Sequence, residues 1–353
     1  MNRKLGVALQ AILASSTVIA GLGAGATAFA AGEAGPISLR DQGFFYVGVR
    51  PTEVEGGMAP FGQMYVGFQL VAEKKHPYPL VLVHGGGGQT TDWAGTPDGR
   101  DGWLDYFLAE GFDVYFVDRP GYGRSPNSTL YGELQPPASF EFIADRFTAE
   151  SEQYPGGGTA DTVEVQQHVA SSNPGPTVDN AILKENFGEL LDKIGPAIMV
   201  THSAGGPSGW LALDARPDMV KGVLAIETAG DLTGDLAPLM TWEPSLAEGE
   251  TIAVEELAPE AEGLAACKSQ TGDARQLANF AGVPILGVVS PNSSLFTSNF
   301  HCTINTLNQA GASAELVRLV DKGIEGNGHF MNEELNNDVI AKEVFIPFLA
   351  SIE

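Results

Sequence analysis

Positive charge is scarce in this chain: 19 Lys and Arg stand against 44 Asp and Glu over 353 residues, a formal net charge of −25. Such a surface repels phosphate backbones and anionic lipid, which excludes nucleic acid as a natural partner. Cysteine is nearly absent, with only Cys267 and Cys302. Long apolar runs are missing beyond the first thirty residues, so the rest of the chain has no segment fit to span a bilayer. The glycine run Gly85-Gly86-Gly87-Gly88 lacks a following Gly-Lys-Ser/Thr and the spacing Gly-x-Gly-x-x-Gly, which removes nucleotide binding. No repeat recurs at a fixed period. Neither a metal nor a cofactor is called for.

What is present begins with a leader. Asn2-Arg3-Lys4, an apolar middle and Ala28-Phe29-Ala30 read as a secretory signal peptide over 1–30, cleaved after Ala30. A retained anchor is opposed by Ser15, Ser16, Gly21, Gly23 and Gly25, which break the apolar stretch. Export to the periplasm or the exterior follows, with one domain over 31–353. In that compartment Cys267 and Cys302 are expected to pair as a disulfide, the alternative being two separate buried thiols.

The mature part alternates strands and helices. Aromatic-rich runs at 43–49 and 63–69 read as an antiparallel pair at a sheet edge. The apolar run at 79–83 ends on His84 and the four glycines, as a buried strand that opens on a ligand would. Helix 101–110 stops at Gly111, and strand 112–118 follows. Helix 179–195, strand 196–200, helix 207–213 and strand 220–227 continue the rhythm. Strands 283–289 and 314–320 and a closing helix 339–349 complete it. The pattern predicts an α/β architecture, a mostly parallel eight-stranded sheet flanked by helices. Two insertions break it, at about 127–178 and 231–282, and both are expected to cap the pocket. The first carries Phe140, Phe142, Ile143 and Phe147 as one short apolar-faced helix, then a turn-rich stretch from Tyr154.

One stretch carries chemistry. Thr201-His202-Ser203-Ala204-Gly205-Gly206 lies between an apolar strand and a helix, the setting of a nucleophile elbow. Ser203 would project its hydroxyl from the turn, above the free N–H groups of the helix N-terminus. The usual pattern has glycine two residues before the serine, where this chain has Thr201, and a plain helix N-cap is the competing reading.

Eight strands with a serine elbow after the fifth resemble the α/β-hydrolase superfamily over essentially the whole mature chain. In that superfamily the order is nucleophile, acid, histidine, the last in the loop after the final strand. The resemblance implies His329, in Gly326-Asn-Gly-His-Phe330, as the base. His301 is the rival, His84 is read as a loop organiser, and His202 is expected to point away from the serine. Strand 283–289 runs into Ser290-Pro-Asn-Ser-Ser without a carboxylate, so the acid falls to Glu227 at the end of the sixth strand, with Asp231 and Asp235 as substitutes.

The sixth-strand acid, His84-Gly85, Asp118-Arg-Pro-Gly-Tyr-Gly-Arg-Ser-Pro126 and the Thr201 stretch together resemble a narrower group, the bacterial secreted esterases of esterase seven-one-three with their Ser-His-Glu triad. Members of that group can carry cysteines where this chain has Gly86 and Gly87. The resemblance implies cofactor-free hydrolysis of small or medium carboxylic esters, with the N–H groups of Gly86 and Ala204 as the oxyanion hole. Hydrolysis of another acyl bond (lactone, amide or lipid ester) and a non-catalytic ligand-binding role remain the alternatives.

Overall fold

The computed structural model describes residues 34–176 and 178–353. The signal-peptide expectation at 1–30 lies outside them. Eight strands form the central sheet: β1 Leu39–Val47, β2 Met64–Val71, β3 Leu80–Val83, β4 Val114–Asp118, β5 Ala197–His202, β6 Val220–Ile226, β7 Pro284–Val289 and β8 Ser313–Arg318. Their spatial order is β1-β2-β4-β3-β5-β6-β7-β8. β1–β2 and β2–β4 pair antiparallel, and every later pairing is parallel. The expected eight strands are therefore present, with the serine turn after the fifth.

Period-two alternation explains why the middle strands are apolar throughout. Val81 and Val83 of β3 face one core, while Leu80 and Leu82 face the other, so both faces demand hydrophobic side chains. Helices supply the two covers. On one face lie α1 Trp103–Glu110 and the helical segment 337–350, joined where the Trp103 ring meets Phe345 edge-on at 4.7 Å. The other face is covered by α4 Asn180–Ile194, α5 Gly206–Ala215 and α6 Phe300–Gln309, through Phe187, Trp210 and Ile304. Local signals set the ends: the Asp179 carboxylate accepts the Ala181 N–H at 2.8 Å to start α4, and Gly111 at φ 100° closes α1.

The segment 127–178, between β4 and α4, folds around a small core of its own, Ile143, Tyr154 and Val165. It holds α2 Phe140–Ile143, which runs on as a wider turn over Ala144–Thr148, and α3 Val163–Ala170. This second helix stands where the sequence reads as turns. Hydrogen bonds tie the segment to the loop after β8, among them Ser151 Oγ donating to Glu334 at 2.5 Å, Tyr154 OH to Glu333 at 3.1 Å, the Glu152 N–H to Gly326 O at 2.9 Å and the Leu335 N–H to Gln153 O at 2.8 Å. The segment 231–282 contains two short ladders, and a disulfide joins its Cys267 to Cys302 on α6, with Cα atoms 5.1 Å apart. No described helix is long and apolar enough to cross a membrane.

Candidate active site

β5 delivers Ser203 to a turn too tight for most residues. Ser203 itself sits at φ 54°, a left-handed backbone that costs a non-glycine residue on the order of 1–3 kcal/mol. Around it, glycines are required by contact. A Cβ on Gly205 would lie 2.5 Å from His84 O, and one on Gly206 would lie 2.4 Å from Thr228 Cβ. Thr201, standing where glycine is usual, is accommodated one turn into α5: Gly209 faces it, and a Cβ there would come within 3.1 Å of Thr201 Cγ2. The missing glycine has moved across the interface. Pro207 in the first turn of α5 needs no hydrogen bond for its nitrogen, so the helix begins cleanly.

Three side chains converge on this turn. Ser203 Oγ lies 2.9 Å from His329 Nε2, and His329 Nδ1 lies 2.6 Å from Glu227 Oε2. Glu227 is fully buried and also left-handed, at φ 43°. Its other oxygen accepts the Ser290 N–H at 2.8 Å and the Ser290 hydroxyl at 2.6 Å. The seventh strand thus contributes donors to the acid instead of an acid of its own. With Glu227 as a carboxylate, Nδ1 must carry the imidazole proton, which leaves Nε2 to accept from Ser203.

His329 is held in an aromatic setting, with Phe296 stacked at 5.1 Å and Phe147 at 5.3 Å. Burial, seconded by the charge of His168, pulls its pKa down to about 3, so the resting ring is neutral. Burial also pushes the Glu227 carboxyl up to about 7, against the Ser290 donors that favour its charge. His202 does not point away: its ring lies 4.7 Å from that of His329, and its Nε2–H donates to His329 O at 3.1 Å. The strand ends at His202, and the loop after β8 folds back over it.

These groups open on a cavity of about 610 Å³. Its walls come from the glycine loop 85–88, from 135–147 and 168–175 of the first insertion, and from 329–333. No residue of 231–282 is among them. Gly86 approaches Ala204 so closely that a Cβ on it would sit 3.4 Å from Ala204 Cβ. On one wall the His168 imidazole meets Glu333 at 2.8 Å; burial opposes its charge, but Glu333 prevails and raises its pKa. Burial lifts Asp92, on the same cavity, to about 7. His168, Glu333 and Asp92 have no motif to announce them, because the chain brings them together only on folding.

The rivals lie elsewhere. His301 is beside the disulfide, its Nε2 3.1 Å from Cys267 Sγ. Asp231 accepts the Thr233 and Gly234 N–H groups of its own turn, and Asp235 is exposed. Among the described residues, the cluster with metal-ligand spacing is Cys267, His301 and Cys302, whose two sulfurs are bonded to each other.

The model of the alpha/beta hydrolase fold matches residues 78–282. A probable secreted lipase of a fungus (Fungal sp., strain ATCC 74256) is 33% identical over 329 residues, spanning 85% of this chain and 87% of that one. A solved bacterial esterase superposes with a TM-score of 0.67 at 23% identity, covering 91% of this chain and 98% of its own; that likeness is one of fold.

Proposed function

The chain belongs to the α/β-hydrolase fold family, it is an esterase- or lipase-type serine hydrolase, and on that premise we propose that it is exported and cleaves small or medium carboxylic esters through an acyl-enzyme on Ser203. The observation that carries this reading is the unbroken line from Ser203 Oγ through His329 to Glu227, at 2.9 and 2.6 Å, whose Ser203 and His329 line the cavity.

In the proposed mechanism His329 Nε2 takes the Ser203 proton as Oγ attacks the ester carbonyl. Glu227 holds Nδ1–H and stabilises the imidazolium that forms, without itself taking the proton. The N–H groups of Gly86 and Ala204 receive the oxyanion, and the imidazolium returns its proton to the departing alcohol. Water activated by His329 then releases the acid. The segment 127–178 acts as the cap: Phe142, Ile143 and Phe147 offer the acyl or alcohol group an apolar wall. Export is supported by the likeness to the fungal protein, itself a probable secreted lipase, and by the leader read at 1–30.

Ser203→Ala should lower kcat on nitrophenyl esters by about 10⁴-fold or more while circular dichroism is unchanged. A fluorophosphonate should label the wild type and not the variant, and an acyl series from acetate upward on the wild type should peak at short or medium length. Wild-type turnover by the alanine variant would remove the reading.

A further inference from the structure

Arg119 follows β4 and is buried, yet its guanidinium hydrogen-bonds to backbone carbonyls: Nη2–H donates to Gly85 O at 2.6 Å and Nη1–H to Ala204 O at 3.1 Å. Among the described residues its Nε–H finds no partner, and the ring of Tyr122 lies 4.8 Å below the cation. A buried guanidinium without a bonded carboxylate is an expensive way to hold two carbonyls, since a neutral donor would avoid the desolvation. The two peptides it grips are informative. Gly85 contributes the carbonyl of the peptide whose N–H belongs to Gly86, and Ala204 is the residue that bears the other candidate oxyanion donor.

Building on the Ser203 reading, we propose that Arg119 is a positioning residue for the oxyanion hole, fixing both the direction of the Gly86 N–H and its distance from the elbow. In a trans peptide the N–H points opposite the C=O. Gly85 O is held from one side by Arg119 and also by His84, whose Nδ1–H donates at 2.8 Å. The His84 tautomer is set by its Nε2, which accepts the Arg119 N–H at 3.0 Å. With its carbonyl so fixed, the Gly86 N–H faces the opposite way. A charged donor on the carbonyl also polarises the peptide, which makes that N–H a stronger donor.

On the other side the Ser203 carbonyl accepts the Ala229 N–H at 2.9 Å, which orients the peptide carrying the Ala204 N–H. Arg119 then spans the gap, one arm on Gly85 and one on Ala204. It is the cross-brace between two segments that the chain brings from β3 and β5. Its positive charge lies behind the site where an ester carbonyl oxygen would turn negative.

The test compares Arg119→Met and Arg119→Lys with the wild type on a nitrophenyl ester and with a trifluoromethyl ketone, which captures serine as a tetrahedral oxyanion adduct. The Met variant should lose about 10²-fold in kcat with KM changed by less than about threefold, and the ketone should bind weaker by a similar factor. The Lys variant keeps a cation that reaches one carbonyl, and should lose about tenfold. Should Met fail to fold, Lys carries the comparison. Wild-type kcat and ketone affinity in a folded variant would overturn the inference, as would a kcat loss with unchanged ketone affinity. Activity retained by Ser203→Ala would instead overturn the reading beneath it, so the two failures are distinct.

Discussion

Glu227 and His329 form a buried pair whose protons are shared events, so pH reports on them jointly. Burial raises the carboxyl to about 7 and lowers the imidazole to about 3. In the proposed mechanism turnover needs the carboxylate and the neutral ring. A raised carboxyl pKa means that the carboxylate forms only as pH climbs through that value, so kcat/KM should rise toward a plateau above about 7. In a pH-stat assay of ester hydrolysis, a flat profile from about pH 5 to 9 would contradict this assignment. Glu227→Gln removes the titrating group and presents Nδ1 with an ambiguous partner, and should cost about 10³- to 10⁴-fold in kcat.

At the scale of elements, the interface of β5 and α5 turns on Thr201 and Gly209. Ala would suit a helix interior better than Gly by about 1 kcal/mol. Here the added methyl would meet Thr201 Cγ2 at 3.1 Å and Val223 Cγ1 at 3.4 Å, both on stiff branched side chains. Overpacking should win, and Gly209→Ala should lower stability by about 1–2 kcal/mol in urea denaturation. Thr201→Ser, which deletes the opposing methyl, should recover most of that loss; additive effects in the double variant would refute the contact.

The same interface shows what a sequence reveals. β3, β5 and β6 were legible because unbroken apolar runs bounded by turns have few other uses, and Ser203 stood out because its turn has a chemical reason. Glu227 could be reached from the absence of an acid after β7. The hairpin of Arg50–Val54 with Gly57–Phe61 was hidden by Pro51 and Pro60, which read as breaks. α6 has a local signal, Phe300, Ile304 and Leu307 at helical spacing amid polar residues. β8 ends at Arg318, not 320, because Leu319 turns inward as a tighter helical turn begins. Arg119 and His84 could not be assigned their partners, since carbonyls from distant segments leave no trace in local pattern.

Across the whole molecule, two cores on opposite faces of one sheet set the stability, and the disulfide adds a constraint at their margin. It closes a separation of 35 residues between the second insertion and α6. Replacing both cysteines with serine should lower unfolding free energy by about 3–4 kcal/mol in the chain-entropy account. Because neither cysteine lines the main cavity, fluorophosphonate labelling of Ser203 at 25 °C should be unaffected. A variant as stable as the wild type in urea would show that the reduced chain is already restrained.

The bonds from Ser151, Glu152, Gln153 and Tyr154 to the loop after β8 make the wall of the cavity and the mount of His329 one piece of masonry. For an engineer, that rules out treating 127–178 as an interchangeable part. A replacement grafted to change substrate range would have to bring its own counterpart of residues 325–335, or leave His329 without its scaffold.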